Sequence, residues 1–384
     1  MPRPPHFNPS VTAMPGAVYS PFAHRLADHP GPVYPLHVGD TWLEPGEGMR
    51  MQDIASADHP GLHQYCDTQG LPDLIDALVE RTRQRSGLPW ERESVLVTAG
   101  ATAGLGCAVG ALAAPGDEVL ILAPFWPLIR GIVQAAGATP VEVPFYDRVN
   151  SAAEAVAAVR DRATEGTVAL YISTPSNPTG RVLPEAWLEA LTELARDRGW
   201  WILADEVYED FVYHGEHVPL APLAPERTVT AYSFSKAYGM AGNRVGYLVG
   251  PAKIIEQAQK LGTHSFYNAP VPSQVAALRA LEGGGAWQRA ARDQYRTVGE
   301  AAGSLLGLPA PEGSTFLFVN VAHALDQRGL PGLLEDCFEE GVLVAPGSSS
   351  GRDYAEWVRV CYTGMPPEPV LEGVGKLAER LARR

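Results

Sequence analysis

The chain has 384 residues, more than one ordinary core accommodates, so two domains are expected, and its 46% apolar content is ample to bury both. A formal net charge of −14 argues against nucleic acid or an anionic membrane face as partner, and no run of about 18 apolar residues is present to span a bilayer. The N-terminal MPRPPHFNPS lacks the apolar stretch of a secretion signal, and the four cysteines (Cys66, Cys107, Cys337, Cys361) include no CxxC pair, so free thiols in the cytoplasm are expected.

Residues 1 to about 45 are rich in proline, glycine and histidine without periodicity and read as an irregular arm. From about 72, LPDLIDALVERTRQR has helical spacing and is followed by the apolar run VLVTAG, a helix in ATAGLGCAVGALA and the strand EVLILAP. The alternation continues with a helix through LIRGIVQAAG, a strand near TPVEVP, a helix over 151–163, the strand VALYIST, a helix over 184–198 and the strand WWILADE. TVTAYSF (228–234) and RVGYLVG (244–250) extend the same sheet. Continuous apolar strands alternating with helices mean an α/β fold whose sheet is covered on both faces and mostly parallel. Helices over 251–262 and 270–308 lead out of this unit, and TFLFVN, GVLVAP and EWVRVCY, with helices over 331–340 and 367–383, form a smaller α/β unit.

The chemistry-bearing residues fall at the carboxyl ends of these strands, where open α/β sheets bind ligands. There are only four lysines against 26 arginines, and Lys253, Lys260 and Lys376 sit in ordinary amphipathic helices. Lys236, in SFSKAYGMAGNR, stands apart: it lies between two strands, beside Ser233 and Ser235, with Arg244 eight residues on. An amine that is desolvated or near fixed cations becomes nucleophilic and can form a Schiff base with a carbonyl. The serines, the arginine and the helix opening at AGATAG, with Ala101 and Thr102, together suit a phosphate dianion, since hydroxyls donate, the guanidinium is a charged fork and a helix start has free N–H groups. Neither the GxxxxGK[ST] spacing of a P-loop nor GxGxxG after a first strand is present, which removes a plain nucleotide-binding reading.

Asp205 ends the apolar strand WWILADE, where an unpaired carboxylate would be costly; Tyr208 follows three residues later, and Asn177 lies in the turn TPSNPTG. Each has an ordinary alternative as a helix cap, a surface ion pair or a turn residue, and Trp126 in APFWPL would by itself be core. Glu206 reads as structural.

Taken in order, TPSNPTG, ADEVYEDFVY and SFSKAYGMAGNR resemble the class I/II aminotransferases of the fold-type I pyridoxal-phosphate enzymes, the aspartate aminotransferase superfamily, from about Gly39 to Arg359. The resemblance implies pyridoxal 5′-phosphate held as a Schiff base by Lys236, with its phosphate at Ala101, Thr102, Ser233, Ser235 and Arg244. It further implies Trp126 stacked on the ring, Asn177 and Tyr208 donating to its phenolate oxygen, and Asp205 on its ring nitrogen. Catalysis would rest on Lys236, Asp205 and Tyr208. Arg359 in EWVRVCY would clamp the substrate α-carboxylate beside Gly39 and Asn177, with Asp40, Thr41 and Trp42 bordering the substrate. Tyr65 in HQYCDTQGLPDL would reach the phosphate of a neighbouring subunit, so a homodimer with shared sites is expected. The implied domains are a large cofactor-binding one over 46–280 and a small one made of 1–45 and 281–384, with the arm packed on the C-terminal unit.

The implied activity moves an amino group from an L-amino acid to a 2-oxo acid. A pyridoxal-dependent C–S β-lyase would use the same residues, and a regulatory aminotransferase-like module would normally carry a basic DNA-binding head that this chain lacks. The cup reads Ala-Thr-Ala where many relatives carry glycine or a longer polar residue, which leaves substrate preference open. The loop THSFYNAP (263–270), where dicarboxylate-preferring relatives can place a cation, has no arginine or lysine. An apolar or aromatic donor is therefore expected over aspartate, with Tyr19 and Trp42 adding aromatic surface and Arg25 the charge that could swing inward from the arm.

Overall fold

Apolar segments that cannot stay in water condense into two sheets and a two-stranded ribbon in a computed structural model that describes residues 6–14, 16 and 19–383. β1 (Tyr34–Pro35) comes from the N-terminal arm. The next seven strands are β2 (Val95–Thr98), β3 (Glu118–Ala123), β4 (Thr139–Pro144), β5 (Thr167–Ser173), β6 (Trp201–Asp205), β7 (Thr228–Ser233) and β8 (Gly246–Val249). They form one sheet in the order β2-β8-β7-β6-β5-β3-β4, in which β8 alone runs antiparallel to both neighbours. The mostly parallel sheet is the one expected from the alternation of strands and helices.

Both faces of this sheet are dry. Val119, Ile121, Ala169, Tyr171 and Leu203 point to one face, packed with residues of the helices Gly100–Leu112 and Ala252–Ser265. Leu120, Leu122, Leu170, Ile172 and Ile202 point to the other, against the helix Glu185–Arg198. Each fully buried aliphatic side chain of this kind stabilises the fold by roughly 1.5–3 kcal/mol, so neither face can be polar and the strands read as unbroken apolar runs. Local chemistry fixes the helix ends: Pro72 opens the helix Pro72–Ser86, and Gly87 and Gly199 close two helices in the left-handed conformation.

The carboxyl ends of β5, β6 and β7 lie along one edge of the sheet. Because β8 is reversed, its first residue, Gly246, pairs with Ser233, the last residue of β7, at that same edge. Residues 234–245 therefore leave and rejoin the sheet without crossing it.

Beyond the large sheet come β9 (Phe316–Asn320), β10 (Val342–Leu343), β11 (Ala345–Pro346) and β12 (Trp357–Cys361). β9, β11 and β12 form an antiparallel sheet in the order β11-β12-β9, while β10 pairs in parallel with β1. One apolar cluster joins Tyr34 and Leu36 of the arm to Val298, Leu317, Val358 and Val374, so the arm and the C-terminal segment share a core.

Two elements depart from expectation. The stretch 270–308 is two helices, Val271–Gly283 and Gly285–Leu305, separated at Gly284 within a run of three glycines. A Cβ on Gly284 would lie 2.5 Å from the Ala280 carbonyl oxygen, a contact that only glycine avoids. GVLVAP is divided because the chain changes partners, pairing first with β1 and then with β12. Among the described residues, no helix is long and apolar enough to cross a membrane.

Candidate active site

A cavity of about 320 Å³ opens where the edge carrying β5 to β8 meets β9 and β12. Its size is that of a small-molecule site. It gathers Ala101, Thr102, Trp126, Asn177, Asp205 and Tyr208 with Ser233, Ser235, Lys236 and Arg244 from the large sheet and the segments that leave it. Gly39 and Arg359 complete it from the opposite wall, so the residues expected to hold the cofactor and the substrate carboxylate all line this one space, Tyr65 excepted.

Lys236 sits on a single helical turn, Phe234–Ala237, which Ser233 caps by accepting the Ser235 N–H at 3.1 Å. Its Nζ donates to the Gly39 carbonyl oxygen at 2.5 Å and lies 3.9 Å from Asp40 Oδ1. Burial holds the amine below the ordinary lysine range, with Arg359 and Arg244 acting in the same direction and Asp40 opposing them. The arrangement favours a neutral amine more than a surface lysine would.

Arg244 adopts the left-handed backbone conformation, φ +53°, immediately before β8. Its guanidinium donates to the carbonyls of Ala241 at 2.9 Å and Ala99 at 3.4 Å. A Cβ on Gly100, itself at φ +77°, would run into that guanidinium, so the glycine both permits the turn and admits the arginine. The helix Gly100–Leu112 has no side-chain cap, leaving its first N–H groups free beside the arginine and the two serines. This end of the cavity fits a phosphate dianion.

Asp205 is 4% exposed at the end of β6 and forms no ion pair among the described residues. Burial pushes it up to about 6, with the hydrogen bond from Tyr171 the main opposing influence. A buried acid in that state calls for a cationic partner in the cavity, which a protonated pyridine nitrogen would be. Glu206, one residue on, points to the opposite face of the sheet. It accepts from the Leu220 N–H at 2.8 Å and the Tyr232 hydroxyl at 3.1 Å and meets His217 Nε2 at 3.2 Å, as expected of a structural acid.

The facing wall is organised by Arg359, 2% exposed on β12. Nη1 donates to Asn177 Oδ1 at 3.1 Å and Nη2 to the His37 carbonyl at 2.8 Å, whereas Nε is buried without a hydrogen-bond partner among the described residues. The guanidinium carbon lies 4.4 Å from the centre of the Phe316 ring and 5.4 Å from that of Tyr19. Phe316 also occupies the space a side chain on Gly39 would need. No carboxylate pairs with Arg359 among the described residues, so the site presents a desolvated cation with an unused donor. That chemistry suits a carboxylate.

Tyr65 lies elsewhere: it is 83% exposed, 4.8 Å from the half-exposed ring of Tyr267, and does not reach the cavity of its own chain. Trp42 is turned away from the cavity and packs edge-on against Tyr295 at 4.5 Å, so of the three residues after Gly39 only Asp40 lines the space. Arg25 stacks on Phe338 at 4.6 Å, in the small unit, instead of swinging inward. Two participants were not singled out from sequence. Phe316 and Tyr171 sit in apolar strand segments that read as core, and only the two-residue spacing that puts Asp205 on the face of Leu203 could have drawn attention to Tyr171 across the register.

Residues 47–377 match the model of the family described as aminotransferase class I and II. The aspartate/prephenate aminotransferase of Thermus thermophilus is 33% identical over 331 residues, which is 84% of this chain and 83% of that protein. The arginine–pyruvate transaminase of Pseudomonas aeruginosa is 32% identical over 387 residues, covering 94% of this chain and 97% of its own length. Among solved structures, a Thermus thermophilus aspartate aminotransferase tetra mutant complexed with tryptophan superposes with a TM-score of 0.89 at 28% identity, covering 98% of this chain and 100% of that one.

Proposed function

Because the chain belongs to the aminotransferase class I and II family, a family of pyridoxal-phosphate-dependent transaminases, we propose that the cavity around Lys236 is where it carries out transamination. The observation that carries this reading is the meeting in one cavity of a desolvated amine, a buried acid, Asp205, and a buried cation, Arg359, neither of the last two ion-paired among the described residues.

The residues divide the work by position. Gly100, Ala101, Thr102, Ser233, Ser235 and Arg244 would hold the phosphate, Trp126 would cover one ring face, and Asn177 and Tyr208 would donate to the phenolate oxygen. Asp205 would hold the ring nitrogen in its protonated form. When bound, pyridoxal phosphate supplies a carbonyl for imine exchange and an electron-accepting ring. Arg359 binds and orients the substrate carboxylate, with Nε free to join Nη2 in a bidentate grip. Lys236 Nζ, whose burial favours the neutral form, takes the proton from the substrate Cα and later returns one, and Phe316 and Tyr19 keep water from the carboxylate end. Borohydride reduction of the yellow protein, followed by peptide mapping, should label Lys236, and adding a donor amino acid with no acceptor should bleach the chromophore. Label on another lysine overturns the reading.

Similar proteins carry names with different substrates, aspartate and prephenate in one, arginine and pyruvate in another. Here the cations lining the cavity are Lys236, Arg244 and Arg359, each with a role above, and Tyr19, Val38, Leu128 and Phe316 add apolar lining beside the acidic Asp40. An apolar or aromatic donor is the preferred substrate class in this reading.

We further propose a cytoplasmic homodimer in which Tyr65 reaches the partner's phosphate site. An exposed aromatic pair, Tyr65 and Tyr267, and four free cysteines, three of them buried, support it. Mixing inactive Tyr65 and Lys236 variants should restore activity through heterodimers, because one of their two sites is wild type at both positions. No restoration in a demonstrated heterodimer rules out sharing.

A further inference from the structure

Asp205 is held from beneath by a residue that the cavity does not include. Tyr171 is wholly buried on β5, and its hydroxyl donates to Asp205 Oδ2 at 2.5 Å. Tyr171 lies opposite Leu203, and Ser173 opposite Asp205, in parallel register, so Tyr171 and Asp205 project to one face one residue pair apart. A side chain as long as tyrosine, leaning along the strand, closes that gap. The other donor to this carboxylate among the described residues is the Val207 N–H, a long 3.4 Å from Oδ1.

We propose that Tyr171 is a positioning residue for the reaction: its hydroxyl ties down Oδ2, leaves Oδ1 for the cavity and favours the charged form of Asp205. This rests on the reading of Asp205 as the partner of the cofactor's ring nitrogen. An arginine or histidinium at this place would neutralise the carboxylate and compete with that partner. A neutral hydroxyl stabilises the charge without cancelling it. Burial, with the Asp205 charge adding to it, pushes the Tyr171 phenol far above its ordinary range, so it stays a donor throughout the working pH range. The titratable groups around Asp205 are Tyr171 on β5, Tyr146 after β4, and Glu206 and Tyr208 on its own side of the β6 turn, with Lys236 and Arg359 lining the same cavity. Of these side chains, only Tyr171 hydrogen-bonds to the carboxylate.

Tyr146 provides an internal control. It is as deeply buried, in the cluster on the other face of the sheet, and its hydroxyl donates to the Ser173 carbonyl at 2.5 Å and accepts from the Ser173 N–H at 3.2 Å, with no bond to Asp205.

The test is the affinity of the apoprotein for pyridoxal phosphate relative to an analogue whose ring nitrogen is replaced by C–H, a ratio that isolates the Asp205 contact from phosphate and lysine. The wild type should prefer the natural ring and Asp205→Asn should lose the preference. Tyr171→Phe should reduce it about tenfold, the scale of one hydrogen bond to a charged group, while Tyr146→Phe leaves it intact. A wild type without preference, or Asp205→Asn retaining it, defeats the reading of Asp205 and this proposal together. Loss in Asp205→Asn with a wild-type ratio in Tyr171→Phe overturns the role of Tyr171 alone, and so do equal losses in the two tyrosine variants, which would be a packing effect. If Tyr171→Phe does not fold, 3-fluorotyrosine placed at 171, a stronger donor of nearly the same shape, should raise the ratio, and no change would overturn the proposal.

Discussion

The two walls of the cavity hold charge in opposite ways. On the sheet wall, one neutral hydroxyl favours the charged form of Asp205 against the pull of burial, the Lys236 amine is pushed toward neutrality by burial, and Arg244 leans on backbone carbonyls with a glycine cleared to make room. On the facing wall, a single guanidinium is gripped by a carboxamide, a carbonyl and two rings, and is left one donor over. The sheet wall is tuned for a change of protonation, the facing wall for capture of an anion. Damage to the first should appear in kcat, and damage to the second in KM.

The largest effect expected is at Lys236. Lys236→Ala should lower kcat by about 10⁴-fold or more, since the proton carrier is gone, while the phosphate end still binds the cofactor noncovalently, as an equilibrium titration would record. Retained turnover would end the assignment of chemistry to the sheet wall. Next come the adjacent acids. Asp205→Ala should reduce kcat by about 10³-fold, on the scale of other preorganised charge contacts in active sites. Glu206→Ala should leave kcat within about tenfold but lower stability by about 1–3 kcal/mol, because Leu220 N–H and Tyr232 lose their acceptor. Equal kinetic losses in the two variants would dissolve the distinction between the faces of β6.

For the facing wall, Arg359→Lys should raise KM for amino donors by about a hundredfold with kcat less affected, because the bidentate fork is replaced by a point charge. A fall confined to kcat would place Arg359 with the opposite wall. Donor screening comes next: kcat/KM for leucine, methionine, phenylalanine or tryptophan should exceed that for aspartate by about tenfold or more, since among the described residues lining the cavity a second carboxylate finds no spare cation. The smallest effect concerns stability and pH. Asp205 in the folded apoprotein titrates at about 6 against an ordinary 3.8, so the folded state binds its proton more tightly and the apoprotein loses stability as pH rises through that window. Cofactor binding supplies the missing cation, so the gain in Tm on loading should be larger at pH 7.5 than at pH 5, and Asp205→Asn should flatten the difference.

Much of the sheet wall was legible in the sequence because strand ends announce themselves. Asp205 ends an apolar run, Asn177 sits in an Asn-Pro turn, and Lys236 lies among serines between two strands, so spacing alone brings them to one edge. The facing wall was less legible. Arg359 follows from a motif, but Phe316, which backs it, is one apolar residue in an apolar strand, and Trp42, one of a few aromatics near Gly39, turns out to pack on Tyr295 instead. Tyr171 was hidden for a related reason: the apolar content that identifies a buried strand does not reveal which of its side chains carries a hydroxyl to a neighbour. The break at Gly284 was written in three consecutive glycines and overridden by the helical period on either side.

The reversed direction of β8 gives the chain a modular character. Amine, capping serine and guanidinium all belong to one stretch, 233–244, clamped at both ends by adjacent strands, so one local segment sets all three without re-threading the sheet. The carboxylate receptor has no such unity: Tyr19, Asn177, Phe316 and Arg359 are drawn from distant parts of the chain and meet only after folding. One wall is thus a local word of the chain and the other a sentence spread along it, so a single substitution can reword the second while the first is kept or lost whole.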